Sequence, residues 1–447
     1  MDELAVLGES LRSQARKLLP HRVRATRQLD RFRALVQFAW DNSPFYRELY
    51  SSHGLTRLDL LEVETRDIPI VDKPILMSAL GDVFTDRDLK PDEVGAWIAA
   101  NPHPLALYRD KYQVMHTSGS SGKPGVFVYD RNALTALRGS LIATPVTHLR
   151  LSRKARIAYV GATHGRFSGV IMAASAPNRL FDTLLLSVLD PVDENVTALN
   201  DFQPDMLIGY ARTIASLAHM ARSNELAIRP SRVVVSGEAL TASSWDLLED
   251  CWASQIVNFY SSTESAIGIS QRRDGWFQVL HDLCIAESVP SEGEGGERNV
   301  AITNLYNRVT PIIRYRLNDE VVPGDALFGT VMDGIRELHG RRSMDLPIRA
   351  DNGDRDTVHH ITLVELFVPG VDQFQFVSVR PGEVLIRYVA GQPLDAEVRR
   401  EFDKILKPKA ARRGTRVLVE RVPMISPNTT TGKHELVCVP SSGAGHA

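Results

Sequence analysis

The chain comprises 447 residues, 43% of them hydrophobic and 24% charged, with a formal net charge of −2. That length is too great for one ordinary core and predicts a large domain with at least one smaller one. The near-neutral charge gives no general electrostatic pull toward nucleic acid or an anionic membrane, so neither is expected as a partner.

Cys251, Cys284 and Cys438 are scattered, with no CxxC spacing. This argues against a disulfide framework or a zinc knuckle and fits a reducing compartment. The N-terminal segment lacks the apolar core and small-residue cleavage site of a signal peptide. Nowhere do about eighteen consecutive apolar residues occur. A cytoplasmic location is expected.

In chain order, the first fifty or so residues read as helical, with Leu29, Phe32, Leu35, Val36 and Ala39 on one face. Asp72-Lys73-Pro74 reads as a helix start, and the polar turn Thr117–Gly125 follows a proline-punctuated stretch. Short apolar runs then alternate with helical stretches. Arg156–Val160 ends at Gly161, Asp205–Ile208 at Gly209, Arg232–Val235 at Ser236-Gly237-Glu238, and Gln255–Phe259 at Tyr260–Glu264. A helix is predicted over Thr213–Ser223, and another from Thr241, a plausible N-cap, through Trp252. Apolar runs that close on glycine or polar turns before helices predict a parallel sheet with helical crossovers, with ligands at the carboxyl ends of the strands.

Beyond a polar loop at Ser291–Gly296, Asn299–Leu305 and Pro311–Leu317 read as antiparallel strands. After Gly340, strands Phe374–Val377, Glu383–Val389 and Thr415–Val419 flank an amphipathic Leu394–Leu406. The expected fold class is α/β: a large domain over 1–340 with mostly parallel sheets flanked by helices, then a small α+β domain over 341–447.

Four segments carry candidate chemistry. Thr117-Ser118-Gly119-Ser120-Ser121-Gly122-Lys123-Pro124 is not a Walker A loop, because the four-residue spacer and the Ser/Thr after Gly-Lys are missing. Its hydroxyls, glycines and lysine still suit a polyphosphate, the alternative being a mobile polar turn. Tyr260-Ser261-Ser262-Thr263-Glu264 offers an aromatic face for adenine and a carboxylate for Mg²⁺, or simply a strand-end turn with a solvated acid. Arg314–Asp319 ends a strand with an acid suited to two ribose hydroxyls, or is a surface charge cluster. Thr429-Thr430-Thr431-Gly432-Lys433 places a lysine in a loop where solvation alone would explain it.

Taken together and in this order, the four segments resemble the adenylate-forming superfamily of acyl-CoA synthetases, nonribosomal adenylation domains and luciferases, nearest to its phenylacetate–CoA ligase branch. Ser43-Pro44-Phe45-Tyr46, Ser236-Gly237-Glu238 and Asn304-Leu305-Tyr306-Asn307-Arg308 support the resemblance, which spans essentially the whole chain. It implies ATP and Mg²⁺ as cofactors, with CoA as acyl acceptor. The acid activated would be aromatic.

The resemblance makes Thr117–Lys123 the phosphate loop. Ser236, Gly237, Glu238, Asn258, Phe259 and Tyr260, with Ser261 and Thr263 beside them, would frame the nucleotide. Glu264 would hold the metal, Asp319 the ribose, and Arg341 would touch nucleotide near a hinge. Lys433 would reach the acyl and phosphate oxygens during adenylation. Tyr159, Ala162, Thr163, His164 and Gly165 would wall the carboxylate pocket, with His164 either bonding substrate or serving as a satisfied strand-end residue. The small domain would be mobile, rotating between half-reactions.

Three departures accompany the match. The hinge position falls at Ser343, or at Asp345 in a shifted alignment. Asp325–Leu338 lacks the cysteine knuckle of many relatives, and the glycine-rich patch after the hinge is reduced to Asn352-Gly353. The first and third bear on the CoA step. Transfer to an amine, a hydroxyl or a carrier-protein thiol in natural-product biosynthesis is therefore the alternative, and a non-catalytic nucleotide-binding relative is a third reading. A second copy of the chain is also a candidate partner.

Overall fold

The structure is a computed structural model that describes residues 3–117, 125–147, 153–163, 165–188, 190–237, 240, 242–291, 298–340, 345–358, 362–363, 366, 368–425 and 436–438. It divides into two compact units. The first takes Met1–Met115, Phe127–Leu186 and Val196–Arg341, and the second takes His116–Val126, Ser187–Asn195 and Arg342–Ala447.

The chain enters the first unit through helices. His21–Asn42 buries Gln28, Phe32, Leu35, Val36 and Ala39 on one stripe, as the 3.6-residue period requires. Asp72 caps the helix Lys73–Ser78 by accepting from Ile75 N at 3.0 Å. The strands of this part of the chain are β1 (Gln113–His116), β2 (Val126–Tyr129), β3 (Ala155–Gly161), β4 (Phe181–Ser187), β5 (Met206–Gly209), β6 (Arg232–Ser236), β7 (Gln255–Ser261) and β8 (Ala266–Ser270). They continue with β9 (Phe277–Val279), β10 (Cys284–Pro290), β11 (Arg298–Asn304), β12 (Tyr315–Pro323), β13 (Ala326–Phe328), β14 (Val331–Met332) and β15 (Gly334–Gly340).

Strands β3 to β15 form one 13-stranded sheet in the order β13-β14-β10-β11-β12-β15-β9-β8-β7-β6-β5-β3-β4. Neighbours among β3, β5, β6 and β7 pair in parallel, with the helices Ala211–Arg222 and Ala242–Trp252 as crossovers. From β7 onward the strands pair antiparallel. The expectation of mostly parallel sheets is thus corrected: the sheet is mixed. The physical reason is connection length, because β8 to β15 follow one another through links too short for a crossover helix. The strand expected over Pro311–Leu317 begins only at Tyr315, since Arg314 has φ 49°, which breaks the extended backbone.

The second unit contains the hairpin β16 (Leu346–Arg349) with β17 (Arg355–Val358), and a four-stranded sheet in the order β20-β19-β18-β21. These strands are β18 (Val371–Arg380), β19 (Glu383–Ala390), β20 (Arg416–Arg421) and β21 (Val437–Cys438). The helix Asp395–Leu406 buries Val398, Phe402, Ile405 and Leu406. Phe402 stacks on Phe376 of β18 with ring centroids 5.6 Å apart.

Candidate active site

The parallel strands bring their carboxyl ends into line. Val160 pairs with Gly209, Gly209 with Val235 and Val235 with Asn258, so one row of residues crosses β3, β5, β6 and β7. Ser236 then pairs with Phe259 one residue later. Ser236 and Gly237, Asn258 and Phe259, and Ala162 and Thr163 therefore occupy or directly follow the same end of neighbouring strands. Tyr159 is 4% exposed. A Cβ built on Gly161 would lie 2.5 Å from its hydroxyl, and one built on Gly169 would lie 2.7 Å from it. Only glycine at both positions leaves the ring room to lie along the strand end.

Glu264 is 3% exposed, and several side chains from other strands hold its turn. Ser262 N donates to the Ser265 carbonyl at 2.9 Å. The Tyr129 hydroxyl donates to the Thr263 carbonyl at 2.6 Å, with the Glu264 carbonyl at 3.3 Å, and Asn304 Nδ2 donates to the Glu264 carbonyl at 2.7 Å. Burial, with Tyr306 and Glu264 alongside, keeps the Tyr129 hydroxyl well above its ordinary pKa, so it remains a donor. The Glu264 carboxylate itself accepts from the Tyr315 hydroxyl through Oε1 at 3.1 Å. No Lys or Arg pairs with it among the described residues.

Asp319 is 8% exposed and lies where β12 bulges against β11. Asn299 pairs with Glu320 while Ala301 pairs with Arg316, so the intervening residues of β12 outnumber those of its partner. A bulge re-aims a side chain, and Asp319 Oδ2 accepts from the Tyr260 hydroxyl at 2.9 Å. Tyr260 lies inside β7 rather than after it, 8% exposed, with Phe277 edge-on at 6.1 Å. The structure thus joins Tyr260 to Asp319 and Tyr315 to Glu264 in one unit. Ser261 and Thr263 are half-buried beside them.

In the second unit, Thr117 and Gly125 exchange two hydrogen bonds across residues 118–124: Thr117 N to Gly125 O at 2.8 Å and Gly125 N to Thr117 Oγ1 at 2.7 Å. Ser118, Gly119, Ser120, Ser121, Gly122, Lys123, His164, Glu238, Arg341, Ser343 and Lys433 lie outside the described residues.

No family model matches the chain. It is 23% identical over 397 residues to protein CapK of Staphylococcus aureus, covering 82% of this chain and 79% of that protein. It is 24% identical over 345 residues to the phenylacetate-coenzyme A ligase of Pseudomonas putida, covering 73% and 72%. A solved 2-hydroxyisobutyryl-CoA ligase, in complex with 2-HIB-AMP and CoA in the thioesterification state, superposes with a TM-score of 0.57 at 19% identity, covering 94% of this chain and 91% of that one. The chain belongs to the adenylate-forming ligase superfamily. Within it, the chain is a distant relative of phenylacetate-CoA ligases and of CapK, and its mixed α/β architecture is that of the superfamily's ligases.

Sequence reasoning named both acids, and Tyr260 as an adenine face, but missed that Tyr129, Tyr315 and Asn304 hold Glu264 and its turn. Tyr129, Tyr315 and Asn304 come from strands far away in the chain, and a tyrosine in an apolar run reads as an ordinary strand former. In Asn304–Arg308 the side chains staple backbone: Asn304 Oδ1 accepts from Tyr306 N and Asn307 N at 3.0 and 2.9 Å, and Asn307 Nδ2 donates to the Val128 carbonyl at 3.1 Å.

Proposed function

We propose that the chain activates a carboxylic acid with ATP, forming an acyl-AMP and releasing pyrophosphate, and then passes the acyl group to CoA. The observation that carries this reading is the pair of buried acids, Glu264 and Asp319, each fixed by a tyrosine hydroxyl in the unit whose parallel strand ends align. A carboxylate attacks the α-phosphorus, so the protein's task is to position two anions and offset their charge. Asp319, held by Tyr260, suits a ribose diol. Acyl transfer to an amine, a hydroxyl or a carrier thiol is the rival outcome, and a CoA-dependence assay separates it.

Magnesium fits Glu264. Among the described residues the buried carboxylate has one hydroxyl donor and no cationic side chain paired with it, so a cation would relieve its burial. Among the described residues no group of three or more His, Cys, Asp or Glu is placed to hold a metal. An ion bound through one carboxylate, phosphate oxygens and water agrees with that donor set. When bound, it would neutralise charge on the polyphosphate.

Three proposals accompany this reading. The acid is aromatic, the small domain over 341–447 moves between half-reactions, and Tyr159, Ala162, His164 and Gly165 wall the acid site. The deciding experiment is pyrophosphate release across benzoate-like, arylacetic and aliphatic acids, with and without CoA. Release with an aryl acid and thioester formation with CoA are expected. If octanoate or palmitate outcompetes the aryl acids, the aromatic assignment is wrong; if no acid stimulates release, adenylation itself is wrong.

Tyr315→Phe should raise the Mg²⁺ concentration for half-maximal pyrophosphate release by roughly tenfold or more, the scale for losing a group that orients a metal ligand. Glu264→Gln should raise it further, since an amide supplies no charge. Calorimetric Mg²⁺ titration in the presence of a non-hydrolysable ATP analogue should show the same order. Unchanged Mg²⁺ affinity in both variants would remove Glu264 from the metal site.

A further inference from the structure

Tyr210 occupies a position that local structure would give to a small polar residue. It is the N-cap of the helix Ala211–Arg222, with φ −76° and ψ 148°, and its side chain makes no capping bond. Ser, Thr, Asp or Asn at an N-cap stabilises a helix by about 1 kcal/mol relative to residues that cannot cap. The tyrosine forgoes that gain and reaches sideways instead. Its hydroxyl accepts from Ala162 N at 3.3 Å, at the end of β3. On the other side lies Gly237, after β6, with φ 79°. A Cβ on Gly237 would stand 3.1 and 3.2 Å from ring carbons Cδ1 and Cε1 of Tyr210, closer than an ordinary contact.

Tyr210 therefore spans the gap between the two strands that flank β5 in the sheet. One flank carries the residues proposed to wall the acid, the other those proposed to frame the nucleotide. The ring is half-buried.

We infer that Tyr210 is a specificity-determining residue: its ring is the partition between the acid and nucleotide subsites, and its volume limits the acid the site accepts. The inference rests on the adenylation reading above and assigns to Tyr210 a role within it. Gly237 follows from the same geometry, because it combines a left-handed backbone with close approach of the ring. The class of acid admitted is one whose far end stops short of the strand end that Tyr210 covers.

The test is a series at this position, assayed by acid-dependent pyrophosphate release on graded aryl acids from benzoate to biphenyl carboxylate. Tyr210→Ala should raise kcat/KM for the larger acids relative to the smallest by about tenfold or more, as expected when several carbons of pocket volume change. Any rise in the KM for ATP should be the same with every acid, since the other face of the same ring borders the nucleotide subsite. Tyr210→Trp should shift the ranking toward smaller acids. Tyr210→Phe keeps the ring, loses the Ala162 bond, and should preserve the ranking.

If Tyr210→Ala does not fold, the Trp and Phe variants still discriminate. An unchanged acid ranking in Tyr210→Trp, or a loss of activity uniform across the acids in every variant that folds, overturns the assignment of Tyr210. Wild-type protein that releases no pyrophosphate with any acid overturns the adenylation reading instead.

Discussion

Lys433→Ala is expected to slow acyl-AMP formation by roughly 10²–10³-fold, the scale for removing one preorganised charge-stabilising donor. The expectation rests on the resemblance of Thr429–Lys433 to the superfamily's adenylation lysine, since Lys433 lies outside the described residues. On the proposed mechanism the lysine acts in only one half-reaction. ATP affinity should change little, and transfer from chemically supplied acyl-AMP should survive, because rotation of the small domain would withdraw Lys433 for that step. The measurement is a pair of single-turnover assays, one from ATP and acid, the other from acyl-AMP and CoA. Equal loss in both by a folded variant, or intact adenylation, would sink the assignment.

What the sequence made legible was the part of the molecule with the simplest grammar. Val233, Val234 and Val235 are buried on both faces of a parallel strand, so an apolar run closing on Ser236-Gly237 could be read directly. The helix Asp395–Leu406 was equally plain, because its buried residues recur at helical spacing. The antiparallel half was less readable. Its strands β8 and β10 are buried along almost their whole length and show no alternation, while β12 is bent by bulges whose register no local pattern announces.

The candidate site divides along the same line. Glu264 announces itself as an acid just after a strand, whereas Asp319, expected at the end of a strand, lies inside β12, which runs on to Pro323. What fixes them is long-range: Tyr315 lies 51 residues from Glu264, and Tyr260 lies 59 from Asp319. Tyr210 was missed for a related reason. Its value is lateral, between neighbouring strands, whereas reading along the chain only shows a tyrosine in a helix-cap position.

Glu287→Ala should destabilise the first unit by about 3–5 kcal/mol, the cost of stranding the partner of a buried ion pair. Glu287 is 0% exposed on β10 and accepts from Arg314 Nε at 3.1 Å through Oε2 and from Thr330 Oγ1 at 2.7 Å through Oε1. Arg314 is itself buried and also donates through Nη1 to the carbonyls of Arg66 at 3.1 Å and Ile68 at 2.5 Å. With the glutamate gone, those carbonyls share hydrogen bonds with the guanidinium but cannot balance its charge.

The consequence reaches the site because Arg314 immediately precedes Tyr315, whose hydroxyl holds Glu264. Arg314 also has φ 49°, a conformation an arginine adopts only where its surroundings over-determine it. Loosening the ion pair should therefore raise the Mg²⁺ requirement as well as lower stability. Because the chain has two compact units, the comparison is between midpoints of the same urea transition rather than between two-state fits. Glu287→Gln, which keeps an acceptor for Thr330, should cost less than Glu287→Ala. The double variant Glu287→Met with Arg314→Met should recover much of the loss, since an apolar pair of similar volume removes both charges together. If the double variant is as unstable as the sum of its single variants, the stranded charge is not the cause, and the loss must come from packing around β10 and β12.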